Sequence, residues 1–202
     1  MVNHFPDIHE FKKFAINFIR IRTDSLKKDV EHCLSGKVAP FPAILYCVST
    51  IDLLGALYAG QAKKGDPNSK NSKKYMIEVM NYTDEQATLI SEIFRHKLVH
   101  LAQPHPVYVH NNKTLRWVYH HSEPEMHLIL EDIKPSGTEL ILKSDWKIHV
   151  DQYFHVSIYH IMIDIINSVE NHGGFLDRFE NDSVVIQPNV KTALEQIYDP
   201  NL

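Results

Sequence analysis

The segment Arg95-His96-Lys97-Leu98-Val99-His100 sets a guanidinium and an imidazole four intervening residues apart. Those two groups suffice, in principle, to break a phosphodiester without a metal. An imidazole titrates near neutrality, so His100 can act as general base or general acid on a ribose 2′-hydroxyl. A guanidinium offers forked donors to phosphate and stabilises charge that develops in the transition state. His100 also falls at the end of an expected helix, where the dipole favours a protonated imidazole.

The helix that must carry the pair is expected over residues 84–101. Thr83-Asp84-Glu85-Gln86 reads as a capping box with acidic residues at the positive end. Pro104 and Pro106 prevent continuation. At roughly 100° per residue, Ala87, Ile90, Phe94, Leu98 and Leu101 fall on one stripe, the expected core face. Arg95 and His100 then diverge by roughly 140° on an ideal helix, so they converge only if the Arg arm reaches around or a second copy completes the site. Leu89 and Ile93 lie near His100 in angle and form a second apolar patch. The expectation is a contact surface for a partner helix, with a homodimer bringing two Arg–His pairs together.

The other elements follow from periodicity. Residues 7–34 carry Phe11, Phe14, Ala15, Phe18, Ile19 and Leu26 at helical spacing, and Gly36 and Pro40 end the run. Residues 42–59 are apolar on nearly every side, as a central bundle helix is. Gly55 and Gly60 there signal a close neighbour or a stop. Residues 61–74 read as a polar loop; its lysines Lys63, Lys64, Lys70, Lys73 and Lys74 are either solvated or a mobile basic contact for a polyanion. A short helix is expected over 75–80. Runs at 114–119, 126–132 and 139–143, with turn signals at Asn111-Asn112 and Pro135-Ser136-Gly137, predict a small antiparallel β-meander inserted at about 108–143. A last long helix is expected over 148–170, stopped by Gly173-Gly174, with a tail of short elements from about 175.

The expected fold is therefore mainly α: a helical bundle of four or more helices with the meander before the last long helix, in a single domain of 202 residues. Only seven glycines argue against a turn-rich all-β chain. A formal charge of −4 disfavours a broadly basic nucleic-acid coat but allows a local basic groove. Cys33 and Cys47 lack metal spacing and read as reduced, buried thiols. No signal peptide and no membrane span are recognised, so a cytoplasmic protein is expected.

The segment TLISEIFRHKLVHLAQP resembles the signature of the HEPN superfamily (higher eukaryotes and prokaryotes nucleotide-binding domains). That signature is Arg, a polar residue, three residues, then His, late in a helix of a four-helix bundle; Arg95, His96 and His100 match each position. STIDLLGALYAG is similar to a segment of bacterial HEPN-like proteins. The resemblance covers about residues 1–104 and the last long helix, and leaves the β region and the tail unaccounted for. It implies a bundle that dimerises with the two motifs facing each other. It also implies metal-independent RNA cleavage, often in toxin–antitoxin, phage-defence or stress systems, or else nucleotide or protein binding without cleavage. On it, Arg95 and His100 are the catalytic pair and His96 assists.

Other constellations are weaker. His96 and His100 have zinc-chelating spacing, but Lys97 stands where a zinc protease has Glu, so no metal is expected there. His120, His121 and His127 are a thin candidate for a shared metal site, and His149, His155 and His160 lack one-face spacing. Asp52, inside the apolar second helix, needs a partner. It either reaches and orients the Arg95/His100 region or makes a plain polar core contact; with Lys97 it is a candidate substrate-side residue. Lys113, Arg116, Trp117 and Tyr119 mix cations with rings and either grip single-stranded RNA or pack on the bundle. No phosphate loop or Ser/His/Asp nucleophile is present, and no cofactor is expected. Three functional readings follow: an RNA-cleaving homodimer, a non-catalytic nucleotide- or protein-binding module, and an antitoxin or regulatory partner of another nuclease.

Overall fold

A computed structural model describes residues 7–35, 39–63, 65–95, 107–134, 137–143 and 146–199. His96, Lys97 and His100 lie outside the described residues.

Helix α1 (Ile8–Leu34) starts where the Asp7 side chain accepts the His9 N–H, and it buries Phe11, Ala15, Phe18, Ile19, Leu26 and Val30. Helix α2 (Pro40–Ala59) opens on a proline whose missing N–H costs nothing there. It is the central helix, buried along most of its length. By length and composition it could cross a bilayer, but it is packed inside the bundle, which is compatible with a soluble chain. It ends at Gly60, whose φ of +72° suits glycine.

Helix α3 (Asn68–Glu78) is a departure from the expected loop over 61–74. Asn71, Ser72, Tyr75 and Met76 are buried on one side of it. At the crossing with α2, Gly55 has no side chain because a Cβ there would lie 2.8 Å from the Asn71 carbonyl carbon and the Ser72 nitrogen. Tertiary contact thus overrides a weak local preference for helix. Two lysines of this stretch are engaged as well: Lys73 pairs with Asp84 at 2.8 Å and Lys74 sits over the Tyr58 ring.

Helix α4 (Asp84–Ile90) has the reciprocal Thr83–Gln86 capping box. It runs into a π-helical turn, Ser91–Arg95. The wider turn breaks the ideal 100° bookkeeping just where the Arg sits.

A four-stranded sheet follows, ordered β1 (Tyr108–His110), β2 (Lys113–His120), β6 (Gln152–Ser157), β3 (Ile129–Asp132). A separate antiparallel hairpin is made by β4 (Thr138–Lys143) and β5 (Trp146–Val150). Asn111 and Asn112, both with positive φ, make the two-residue β1–β2 turn. The expected antiparallel meander is corrected: β2 and β6 pair in parallel, with Leu115 opposite Gln152 and His120 opposite Ser157, so the sheet is mixed. Parallel pairing needs a long connection, and residues 121–151, including the hairpin, supply it.

The last long helix is also shorter than expected. Residues 146–150 and 152–157 are strand instead, because β5 pairs with β4 and β6 pairs with both β2 and β3. Helix α5 (Ile158–Glu170) starts only there. Helices α6 (Phe175–Asn181) and α7 (Ile186–Tyr198) follow, and α7 buries Val190, Ala193 and Leu194, so the region after 175 is part of the bundle. One hydrophobic core joins the seven helices among the described residues to the inner face of the sheet. The fold is mainly α with a small mixed sheet.

Candidate functional site

Three helical segments meet at Arg95. Asp52 projects from the middle of α2, Ser72 from α3, and Arg95 ends the π turn. The Arg95 Nε–H donates to both Asp52 oxygens, at 2.8 Å each. The side chains are 19% and 24% exposed, so the ion pair is neither a surface bridge nor fully desolvated. The Ser72 hydroxyl reaches Asp52 Oδ1 and, at 2.7 Å, the Asn68 carbonyl oxygen; its single proton serves one of them at a time. A cavity of about 10 Å³ lies between Asp52, Ser72, Ser91 and Arg95. The buried Ser91 Oγ on its wall has no hydrogen-bond partner among the described residues.

The consequence is a guanidinium fixed through one nitrogen. Asp52 holds Nε, and the terminal Nη groups have no partner among the described residues. A guanidinium held in this way has four terminal N–H donors that can meet an anion. Both Asp52 oxygens accept from Arg95, so the partner that a carboxylate inside the apolar helix needs is the Arg95 guanidinium.

Leu89 and Ile93 do not form the expected partner surface. They are 0% and 1% exposed within the chain's own core, together with Ala87, Ile90 and Phe94. The helix is enclosed by α2 and α3 while Phe94 meets Trp117 of β2, so its apolar arc is wider than one stripe. Ser72 and Ser91 were not singled out by sequence reasoning. A lone serine in a polar stretch carries no signal until its helix is placed.

Four of the histidines expected as scattered or sharing a metal, His120, His155, His127 and His160, sort into two groups. On the outer face of the sheet, His120 Nε2 lies 2.8 Å from His155 Nδ1, and His155 Nε2 lies 2.8 Å from Glu131. Beneath β3, Asp164 Oδ2 of α5 receives the Tyr82 hydroxyl at 2.8 Å and meets His127 Nε2 at 3.0 Å. His160 lies against His127 and meets the fully buried Ser157 Oγ at 2.8 Å. Among the described residues, no group of three His, Cys, Asp or Glu side chains is placed to hold a metal ion. Burial, reinforced by the Asp164 charge, pushes the Tyr82 phenol well above its ordinary value, and burial likewise pushes up the Cys47 thiol. Cys47 is buried as expected; Cys33 is half-buried, and both are free.

No family model matches this chain, and the curated proteins and the solved structures return no match either. Fold and site therefore define the protein so far as a mainly α chain with an Asp-held arginine at the end of a π turn.

Proposed function

We propose that the chain is a metal-independent endoribonuclease of HEPN type, cytoplasmic and homodimeric, that cleaves RNA at a site completed by two copies. The observation that carries this reading is the Asp52–Arg95 pair, which holds a cation in place and leaves its forked terminus for a phosphate. In the proposed reaction His100 takes the proton of a ribose 2′-hydroxyl, the 2′-oxygen attacks phosphorus, and the bond to the 5′-oxygen breaks. The partner's His100 gives a proton to that 5′-oxygen. The products are a 2′,3′-cyclic phosphate and a 5′-hydroxyl. Arg95 stabilises the charge on the phosphorane oxygens, with His96 and Lys97 assisting. An antitoxin or other regulatory protein is the partner such an activity would require in the cell.

The test is incubation of purified protein with RNA in excess chelator. Wild type is expected to leave 2′,3′-cyclic ends, and His100→Ala to lose on the order of 10²- to 10⁴-fold in rate. If wild type leaves the RNA intact, or His100→Ala cleaves as fast, the nuclease reading is wrong.

One observation favours a second reading, a non-catalytic nucleotide- or protein-binding module. Leu89 and Ile93 are closed off inside the protomer, so the apolar patch that was to bring two motifs together is not displayed. Sedimentation separates the readings: the nuclease needs a dimer at assay concentration, and a monomer that binds nucleotide supports the module.

A further inference from the structure

A row of aromatic rings leads from the π turn to the surface. Buried Phe94 lies edge-on to Trp117 of β2, with ring centroids 5.2 Å apart. Trp117 is 6.3 Å from Phe41, in the first turn of α2, and 6.4 Å from Tyr119, two residues further along β2. Trp117 is half-buried, while Phe41 and Tyr119 are 41% and 40% exposed. The rings are tilted to each other by 55° and 41°, so they do not cover one another's faces. Phe94 immediately precedes Arg95, whose terminal nitrogens have no partner among the described residues.

We propose that Phe41, Trp117 and Tyr119 form a stacking platform for unpaired bases of single-stranded RNA, with Arg95 taking a neighbouring phosphate. The choice of RNA rests on the nuclease reading above. The physical case is the pairing of ring faces with a fixed cation. Every nucleobase has a π-face, so stacking tolerates any sequence, and the strand's phosphates supply the charge that Arg95 matches. A duplex hides its base faces, so this platform selects single strands. Phe94 anchors Trp117 from below, which lowers the entropy lost when a base settles on it. The site thereby gains a substrate class: unpaired stretches in loops, tails or melted segments of RNA.

The test uses full-length protein, in chelator, and a fluorescein-labelled 12-nucleotide adenosine strand, read by polarisation alone and after annealing to its complement. His100→Ala is the background if wild type cleaves, and wild type is used if it does not. Tyr119→Ala and Phe41→Ala, both at exposed rings, are each expected to weaken single-strand binding by about 5- to 150-fold, the range for losing one stacked base. Tyr119→Phe should bind as wild type. Tyr119→Leu should bind as poorly as Tyr119→Ala, because it is apolar but has no ring face. Duplex binding should be unchanged in all of them. The platform is overturned if Tyr119→Leu binds single strands like wild type, or if single strand and duplex weaken together. It is equally overturned if Tyr119→Ala leaves RNA binding intact and instead changes the oligomeric state, which would make this face a contact between copies. Cleavage that persists with platform-independent binding removes the platform and leaves the nuclease; ring-dependent binding without cleavage does the reverse.

Discussion

Replacing Asp52 by alanine removes the carboxylate that holds Arg95 and leaves a guanidinium that is 19% exposed without its counter-ion. Two limits bracket the cost. Exposed ion pairs contribute up to about 1 kcal/mol. Breaking a fully buried pair by removing one partner costs about 3–5 kcal/mol, because the remaining charge is desolvated and unpaired. Here both side chains are at least three-quarters covered, yet each keeps some water. Two unit charges about 4 Å apart attract by about 4 kcal/mol at an effective dielectric constant of about 20, before any desolvation is charged against it. Desolvation of both groups offsets about half of that, which places the net loss near 2 kcal/mol. With a urea slope of about 2–3 kcal/mol per molar, the unfolding midpoint of Asp52→Ala should fall by about 0.7–1 M. Truncation also leaves a cavity whose cost adds to that of the broken pair. The measurement is therefore a double-mutant cycle with Arg95→Gln, using Asp52→Asn as a second, near-isosteric variant that keeps a contact for Ser72. The coupling should be about 1–2 kcal/mol for either Asp52 variant, and 1 M salt should reduce it only partly because the pair is largely shielded. A coupling below about 0.3 kcal/mol would show that Asp52 and Arg95 stabilise the fold independently, and the argument for a preorganised guanidinium would collapse.

Two further outcomes are expected. Gly55→Ala forces a Cβ to within 2.8 Å of backbone atoms of Asn71 and Ser72, which no rotamer change can relieve; α3 must shift, at a cost of about 1–3 kcal/mol by the measure of overpacked cores, and thermal unfolding at wild-type temperature would contradict the observed helix crossing. Tyr75 and Tyr82 have folded-state phenol values raised, in both cases mainly by burial; their stabilisation is complete below about pH 10, the unfolded value, and falls by about 1.4 kcal/mol per pH unit for each as pH rises above it towards the folded values. Urea midpoints across pH 9–11, compared with Tyr82→Phe, check the sign: the variant should lose less stability over that window, and an identical slope would mean that Tyr82 ionises freely in the fold.

Local chemistry made several parts of this protein legible in advance. The Thr83–Gln86 box and Asn111-Asn112 act through hydrogen bonds and φ preferences that span a few residues, and the apolar residues of α1 recur at helical spacing, so α1, the start of α4 and the β1–β2 turn could be read directly. The all-round apolar composition of α2 announced a central helix, and Asp52 inside it announced a partner. Long-range pairing was not legible. The parallel register of β2 with β6 joins residues about 37 apart in sequence, and nothing in either strand encodes the direction of its neighbour. Residues 146–157 carried apolar side chains that suit a helix or a strand until β2, β3 and β4 paired with them.

The sequence by itself determined which residues have chemistry to offer: a guanidinium, two imidazoles, a lone carboxylate in an apolar helix and aromatic residues on a strand. Only the tertiary structure decided their relations. It joined Asp52 to Arg95 across two helices, drew in Ser72 from a stretch that looks like loop, and closed Leu89 and Ile93 inside the core. The physical reason is one of range. Side-chain type and turn preference are properties of a few bonded neighbours, whereas an ion pair between residues 43 apart exists only because packing α2 against the π turn leaves those two charges no better place to go.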